Sequence, residues 1–152
     1  MSDAVSDAAR GALIAAARDA ATRAYAPYSG FHVGAALLLK NGEVVTGANV
    51  ENASHGLTLC AETVAVARIA NEGRIGDLAE IAIVGGRLDG DALTGGAPVH
   101  PCGRCRQILN EAAERSRTDI WVHCASGDGQ AVNSYRLSEL LPAAFGPKDM
   151  GL

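Results

Sequence analysis

Four side chains in two short stretches carry the reactive chemistry of this chain. They are Cys60 and Glu62 in Cys60-Ala61-Glu62, and Cys102 and Cys105 in Pro101-Cys102-Gly103-Arg104-Cys105. Thiols spaced in this way suit one tetrahedral zinc ion, which takes thiolate ligands readily. Three protein ligands leave a fourth position open, and an open position separates a catalytic site from a structural one. Glu62 stands two residues beyond the first thiol, placed to move protons beside a metal without binding it. Taken alone, Cys102-x-x-Cys105 also fits a redox pair or half of a structural zinc site. Glu62 alone also fits an ordinary carboxylate in the first turn of a helix, where the dipole favours it. The two stretches together favour the catalytic reading. Cys124 lies in an apolar run and reads as a small core residue rather than a fourth ligand.

These residues need elements to hold them, and the hydrophobic pattern predicts which. Ser6 or Asp7 caps a first helix that runs to about Tyr25, with Leu13, Ile14, Ala17, Ala21 and Ala24 along one face and Pro27 beyond its end. Phe31 to Lys40 reads as a strand, Asn41-Gly42 as a hairpin turn and Glu43 to Asn49 as the antiparallel partner. A loop, Val50 to Leu59, leads to a helix opened by Cys60 and closed near Asn71 by Gly73. Ile81 to Val84 is a buried strand stopped by Gly85-Gly86, and residues 86–98 read as a loop. A third helix covers Gly103 to about Ser116, followed by strands at Ile120–Cys124 and Val132–Tyr135 and a short helix at Leu137–Leu141, capped by Ser138 or the residue before it. Both cysteine stretches thus fall at helix N-termini, where the backbone dipole favours thiolates. The order of elements predicts one α/β domain over residues 1–152, a three-layer α/β/α sandwich with a mixed central sheet of about five strands.

Composition narrows the class further. A chain of 152 residues, 48% hydrophobic and 20% charged, has enough apolar material for a real core. Its formal charge of -4 argues against binding nucleic acid through phosphates, which takes a basic surface. Four cysteines are too few for a disulfide scaffold. The first ten residues carry Asp3 and Asp7 and no basic run before the apolar stretch, so neither a signal peptide nor a membrane span is expected, and the cytoplasm is the default location.

With these residues on the page, the chain resembles the small, homotetrameric, zinc-dependent cytidine deaminases of pyrimidine salvage. The resemblance runs through Ala26-Pro27-Tyr28-Ser29, Phe31 to Ala36, Gly47-Ala48-Asn49-Val50-Glu51-Asn52-Ala53-Ser54, Cys60-Ala61-Glu62, Pro101 to Gln107, and Leu140-Leu141-Pro142 to Phe145-Gly146-Pro147. It implies that Cys60, Cys102 and Cys105 bind one zinc per chain and that Glu62 shuttles protons. It implies that Asn49 and Glu51 hold the ribose, that Phe31 and Ala61 border the nucleoside, and that Phe145 stacks on the pyrimidine in a neighbouring subunit. Cytidine and 2'-deoxycytidine would be converted to uridine and 2'-deoxyuridine with release of ammonia, and neither a nucleic acid polymer nor a membrane would be a partner. From the residues alone, Asn49 and Glu51 also fit a turn, and Phe145 also fits a residue closing the core.

Two departures from the resembled family stand out. His55 occupies a place, in a loop offered to a neighbour's site, where relatives often have tyrosine. Thr63 follows the glutamate where relatives often have an arginine that donates to the thiolates. Three thiolates on Zn²⁺ leave the site with a charge of -1, and threonine is not expected to offset it. Arg104, between the paired cysteines, is expected to fold over the sulfurs instead. His32, His100 and His123 have no partner pattern and read as structural or surface residues, and Arg106 and Gln107 as helix-packing and subunit-contact residues.

Overall fold

The computed structural model describes residues 6–152. The reading of a missing leader rests partly on residues 1–5, which lie outside the described residues. Alternation along the strands explains the architecture. In β1 (Phe31–Leu39), Ala35, Leu37 and Leu39 face one side while Ala36 faces the other. In β3 (Leu78–Asp89), Ile81 and Ile83 join the first side and Ala82 and Val84 the second. In β5 (Trp121–Ser126), Val122 and Cys124 take the first side and Ala125 the second. A sheet apolar on both faces has to be covered on both. Helix α1 (Asp7–Ala21) lies over the small-residue face; α2 (Ala61–Asn71) and α3 (Gly103–Arg115) lie over the larger aliphatic one. This is the predicted three-layer sandwich.

Among the described residues the sheet has six strands: five in the order β2-β1-β3-β5-β6, where β2 is Val44–Ala48 and β6 is Val132–Arg136, and β4 (Ala92–Thr94), which pairs with the end of β3. Only β3 and β5 run parallel, joined through α3, and the other pairings are antiparallel. The short α4 (Leu137–Leu140) closes the chain's last turn over the core, with Arg136 N donating to Glu139 at 2.8 Å.

Three sequence readings change. The first helix stops at Ala21, because Tyr25 is drawn into pairing with the loop after β2: Tyr25 N donates to Asn49 O, and Glu51 N to Tyr25 O. β3 continues through Gly85-Gly86 to Asp89 and turns into β4, so much of the expected loop at 86–98 is a hairpin. The glycines there are close-approach residues rather than strand terminators: a Cβ on Gly86 would lie 1.8 Å from Thr94 O, and one on Gly127 2.1 Å from it. Helix α4 is capped by Arg136 rather than Ser138, whose hydroxyl and amide instead donate to the Asp119 carboxylate.

Gly47 sets the height of α2 above the sheet. A Cβ there would lie 2.6 Å from Ala65 N and 2.7 Å from Ala61 O. The first turn of α2, and Glu62 with it, can therefore sit directly on β2.

Candidate metal centre

Cys60 is the N-cap of α2 and Cys102 the N-cap of α3, and neither thiol is used for capping. N-caps usually spend a side-chain oxygen on the helix's free N–H groups. Here both side chains stay available at the positive ends of two helices. Cys105, one turn into α3, is fully buried, Cys60 half-buried and Cys102 exposed. The three Sγ atoms lie within 4.8 Å of one another. A tetrahedral zinc with bonds of about 2.3 Å sets its sulfurs about 3.8 Å apart, a spacing that falls within this span. Cys124 is buried in the core under α2 and α3, as its apolar surroundings suggested.

The electrostatics favour a cation among these sulfurs. The Cys60 thiol is lowered to about 6, first by its hydrogen bond with Cys105 and then by Cys102 and the charge of Arg104, against its burial. Cys105 moves upward, because it gives its proton to that bond, is buried and faces Glu62. One negative charge forms readily on the cluster and a second meets it as repulsion; a divalent cation lets all three sulfurs be thiolates.

Glu62 is the one acid in the described structure pressed against this cluster, at 4% exposure. Burial raises its carboxyl to about 7, and the neighbouring Cys60 charge adds to the rise. No cation pairs with it among the described residues. A carboxyl poised near neutrality both takes and gives a proton.

The other expected site residues are placed as follows. Asn49, 8% exposed, bridges back to β1: its Oδ1 accepts from Val33 N at 2.9 Å and its Nδ2 donates to Phe31 O at 2.9 Å. Its turn-building role is therefore real, and one amide hydrogen and one lone pair remain for a ligand. The Glu51 carboxylate accepts from Tyr28 N, Ser29 N and the Ser29 hydroxyl, which hold it below its ordinary range, the Ser29 hydroxyl first. Phe31 is half-buried beside Gly85 and Val99. Ala61 is fully buried under the first turn of α2. His55 is exposed and tilted against the Tyr28 ring at 5.6 Å between centroids. Phe145 is 60% exposed, and its carbonyl accepts from Gln107 Nε2 and Asn110 Nδ2. The helix that carries two thiols thus also anchors the aromatic tail.

Two residues act differently from the sequence reading. Arg104 is exposed and bears on Cys60 through its charge; among the described residues no hydrogen bond runs from its guanidinium to a sulfur. Thr63, which was not expected to serve the thiolates, has its Oγ1 3.7 Å from Cys105 Sγ. Sequence spacing put Thr63 on the same face of the first helical turn as Cys60, but not against Cys105, which lies on another helix. Arg106, read from the sequence as a packing or subunit-contact residue, forms a clamp within the chain: Nε donates to Pro101 O at 2.8 Å and NH1 to Leu140 O at 2.9 Å. That clamp fixes the loop entering Cys102 against the end of α4. A cleft of ≈ 690 Å³ lies elsewhere, between the C-terminal end of α3 and the tail, and contains none of the thiols.

A three-thiol cluster at two helix N-termini with a buried, near-neutral carboxyl beside it fits a catalytic zinc centre. Residues 9–118 match the family described as the cytidine and deoxycytidylate deaminase zinc-binding region, a span that includes all three thiols and Glu62. The chain is 45% identical to cytidine deaminase of Halalkalibacterium halodurans over 91% of its own length and 95% of the relative's. It is 43% identical to cytidine deaminase of Mycobacterium tuberculosis, over 88% and 87% of the two chains. A crystal structure of cytidine deaminase from Burkholderia pseudomallei superposes with a TM-score of 0.75 at 43% identity, covering 88% of this chain and 97% of that one. The chain belongs to the cytidine deaminase family. The three-thiol cluster and the family's zinc-binding region together fit one zinc per chain.

Proposed function

We infer that this protein is a zinc-dependent hydrolase that converts cytidine and 2'-deoxycytidine to the corresponding uridines and ammonia, in pyrimidine salvage. The observation that carries the reading is Glu62, a buried carboxyl raised to about 7 beside three clustered sulfurs. Zinc held by Cys60, Cys102 and Cys105 supplies Lewis-acid chemistry, making water a nucleophile at neutral pH. The chain's own residues do the rest. As water adds to C4 of the cytosine ring, the Glu62 carboxylate takes one of its protons and delivers it to N3. Glu62 then carries the remaining hydroxyl proton to the 4-amino nitrogen. The C4–N bond breaks, the C4=O bond forms, and ammonia leaves. Burial helps at both steps, since a carboxyl near its pKa loses little in either direction.

The remaining roles belong to the same reading. Phe31 and Ala61 border the nucleoside, and the hydrogen-bonding capacity left on Asn49 and Glu51 meets the ribose hydroxyls. Arg104 places a compensating charge near Cys60. The assembly is a homotetramer in the cytoplasm. Its support is the set of exposed apolar side chains Val50, Leu57 and Leu59 around His55, together with the exposed Phe145 ring, which serves a neighbour's site. No helix among the described residues is long and apolar enough to cross a membrane.

The test is a cytidine assay following the loss of cytosine absorbance, with the parent and Glu62→Gln compared at equal zinc content. Glutamine keeps the shape and cannot relay a proton, so turnover should fall by about 10²–10⁴ while the nucleoside still binds. Near-normal turnover in zinc-loaded Glu62→Gln would remove Glu62 from the mechanism, and a parent inert on cytidine would remove the substrate assignment.

A further inference from the structure

The three sulfurs differ in how their charge can be satisfied. Cys102 is exposed and Cys60 half-buried, so water reaches both. Cys105 is fully buried, and water does not solvate its sulfur. A buried charged acceptor without a donor is costly. One neutral donor faces it, the Thr63 hydroxyl at 3.7 Å. A thiolate bound to a metal has no proton, so the direction of this bond is fixed: Thr63 donates and Cys105 accepts. The hydroxyl is also free to do so. Threonine inside a helix tends to bond back to a carbonyl one turn earlier. Thr63 makes no such bond: among the described residues the one hydrogen-bond partner of its hydroxyl is Cys105 Sγ. The bond also crosses elements, since Thr63 is on α2 and Cys105 on α3.

We propose that Thr63 is a positioning residue for the buried zinc ligand. Its hydroxyl orients the Cys105 sulfur, draws off part of the excess negative charge of a three-thiolate site, and ties together the two helices that carry the ligands. The proposal rests on the zinc reading above, and it assigns to a neutral side chain a task that Arg104 serves only through its field. Residues outside a metal's own ligands typically change its affinity by about 10–100-fold when removed.

The test uses metal binding rather than turnover. The parent, Thr63→Val, Thr63→Ala and Thr63→Ser are stripped of metal, titrated with zinc against a competing chromophoric chelator, and loaded with Co²⁺ to read the thiolate-to-cobalt charge-transfer band. Thr63→Val keeps the shape and loses the hydroxyl, Thr63→Ala loses it by a second route, and Thr63→Ser keeps it. The expected result is zinc affinity weaker by about 10-fold or more and a shifted band in Val and Ala, with Ser close to the parent. Parent-like affinity and band in either Val or Ala would overturn the proposal, even if the other fails to fold. Equal loss in Ser would also overturn it, because the hydroxyl would not be the cause. A parent that binds no zinc, or binds it undiminished after Cys105→Ser, would instead overturn the zinc reading itself.

Discussion

The two faces of the sheet hold titratable groups in opposite ways. Under α1, His123 on β5 is 1% exposed and fully engaged: its Nε2 lies 2.8 Å from Glu80 Oε1 and its Nδ1 2.7 Å from Ser134 Oγ. Arg10 of α1 reaches the same serine, and the Trp121 ring stacks on the imidazole. Under α2 and α3, Glu62 is almost as deeply buried yet faces sulfurs rather than a cation. Both sites hold a buried acid or base, and one is saturated by its neighbours while the other is not. Saturation makes the first a strut; the unmet demand of the second makes it reactive.

The largest effect that sharpens this contrast is loss of the metal. Cys105→Ser should reduce zinc per chain from one to nearly none and lower thermal stability, because site and local fold form together. His123→Gln should leave zinc content unchanged. Metal analysis of the two variants checks both, and a zinc-depleted His123→Gln would erase the division between faces.

A smaller loss is expected at the tail. Phe145→Ala should lower kcat/KM by an amount corresponding to about 1–3 kcal/mol of base stacking, mostly through KM, without loss of zinc. A variant with parent kinetics would return Phe145 to a packing role.

The strut predicts a pH effect of definite sign. Burial, the first cause, holds the His123 pKa below 6.5, with the Arg10 charge adding to it and Glu80 opposing. As pH falls below 6.5 the unfolded chain takes up a proton that the folded chain resists, so this contribution to stability is complete above 6.5 and is lost toward the folded pKa. In His123→Gln the decline of melting temperature across that window should flatten. An unchanged slope would mean His123 charges without cost.

The smallest effect belongs to Arg104. Being exposed, its influence on Cys60 should be screened by salt. Arg104→Ala should weaken zinc binding modestly at low ionic strength and hardly at all in high salt, while the Thr63→Val deficit persists. Chelator titrations at two salt concentrations separate a field from a hydrogen bond.

What was legible in the sequence follows from range. Cys60, Glu62, Cys102 and Cys105 declare themselves because ligand spacing is local and each cysteine lies at the start of a helical pattern. The alternation in Phe31–Leu39 and the Asn41-Gly42 turn are equally local. Contacts spanning many residues were not legible. Thr63 meets Cys105 only once α2 and α3 lie side by side. Gly85-Gly86 look like strand breakers until Thr94 O is seen against the backbone. Tyr25 continues a helical pattern, and only its pairing with the chain after β2 takes it out of α1. His123 lacks a local partner because Glu80 and Ser134 come from two other strands.

On the proposal that Asn49 and Glu51 meet the ribose, the bracing bonds of Asn49 have a consequence for redesigning sugar selectivity. The Asn49 amide spans Val33 N and Phe31 O on the adjoining strand, so it is a brace whatever ligand contact it makes. Any library randomised at this position would leave two backbone groups unpaired in most clones, at about 1–3 kcal/mol each where they are buried. Screens would return insoluble protein well before altered selectivity. Glu51, partly exposed and held by the Tyr28–Ser29 backbone rather than by a strand, is the safer place to start.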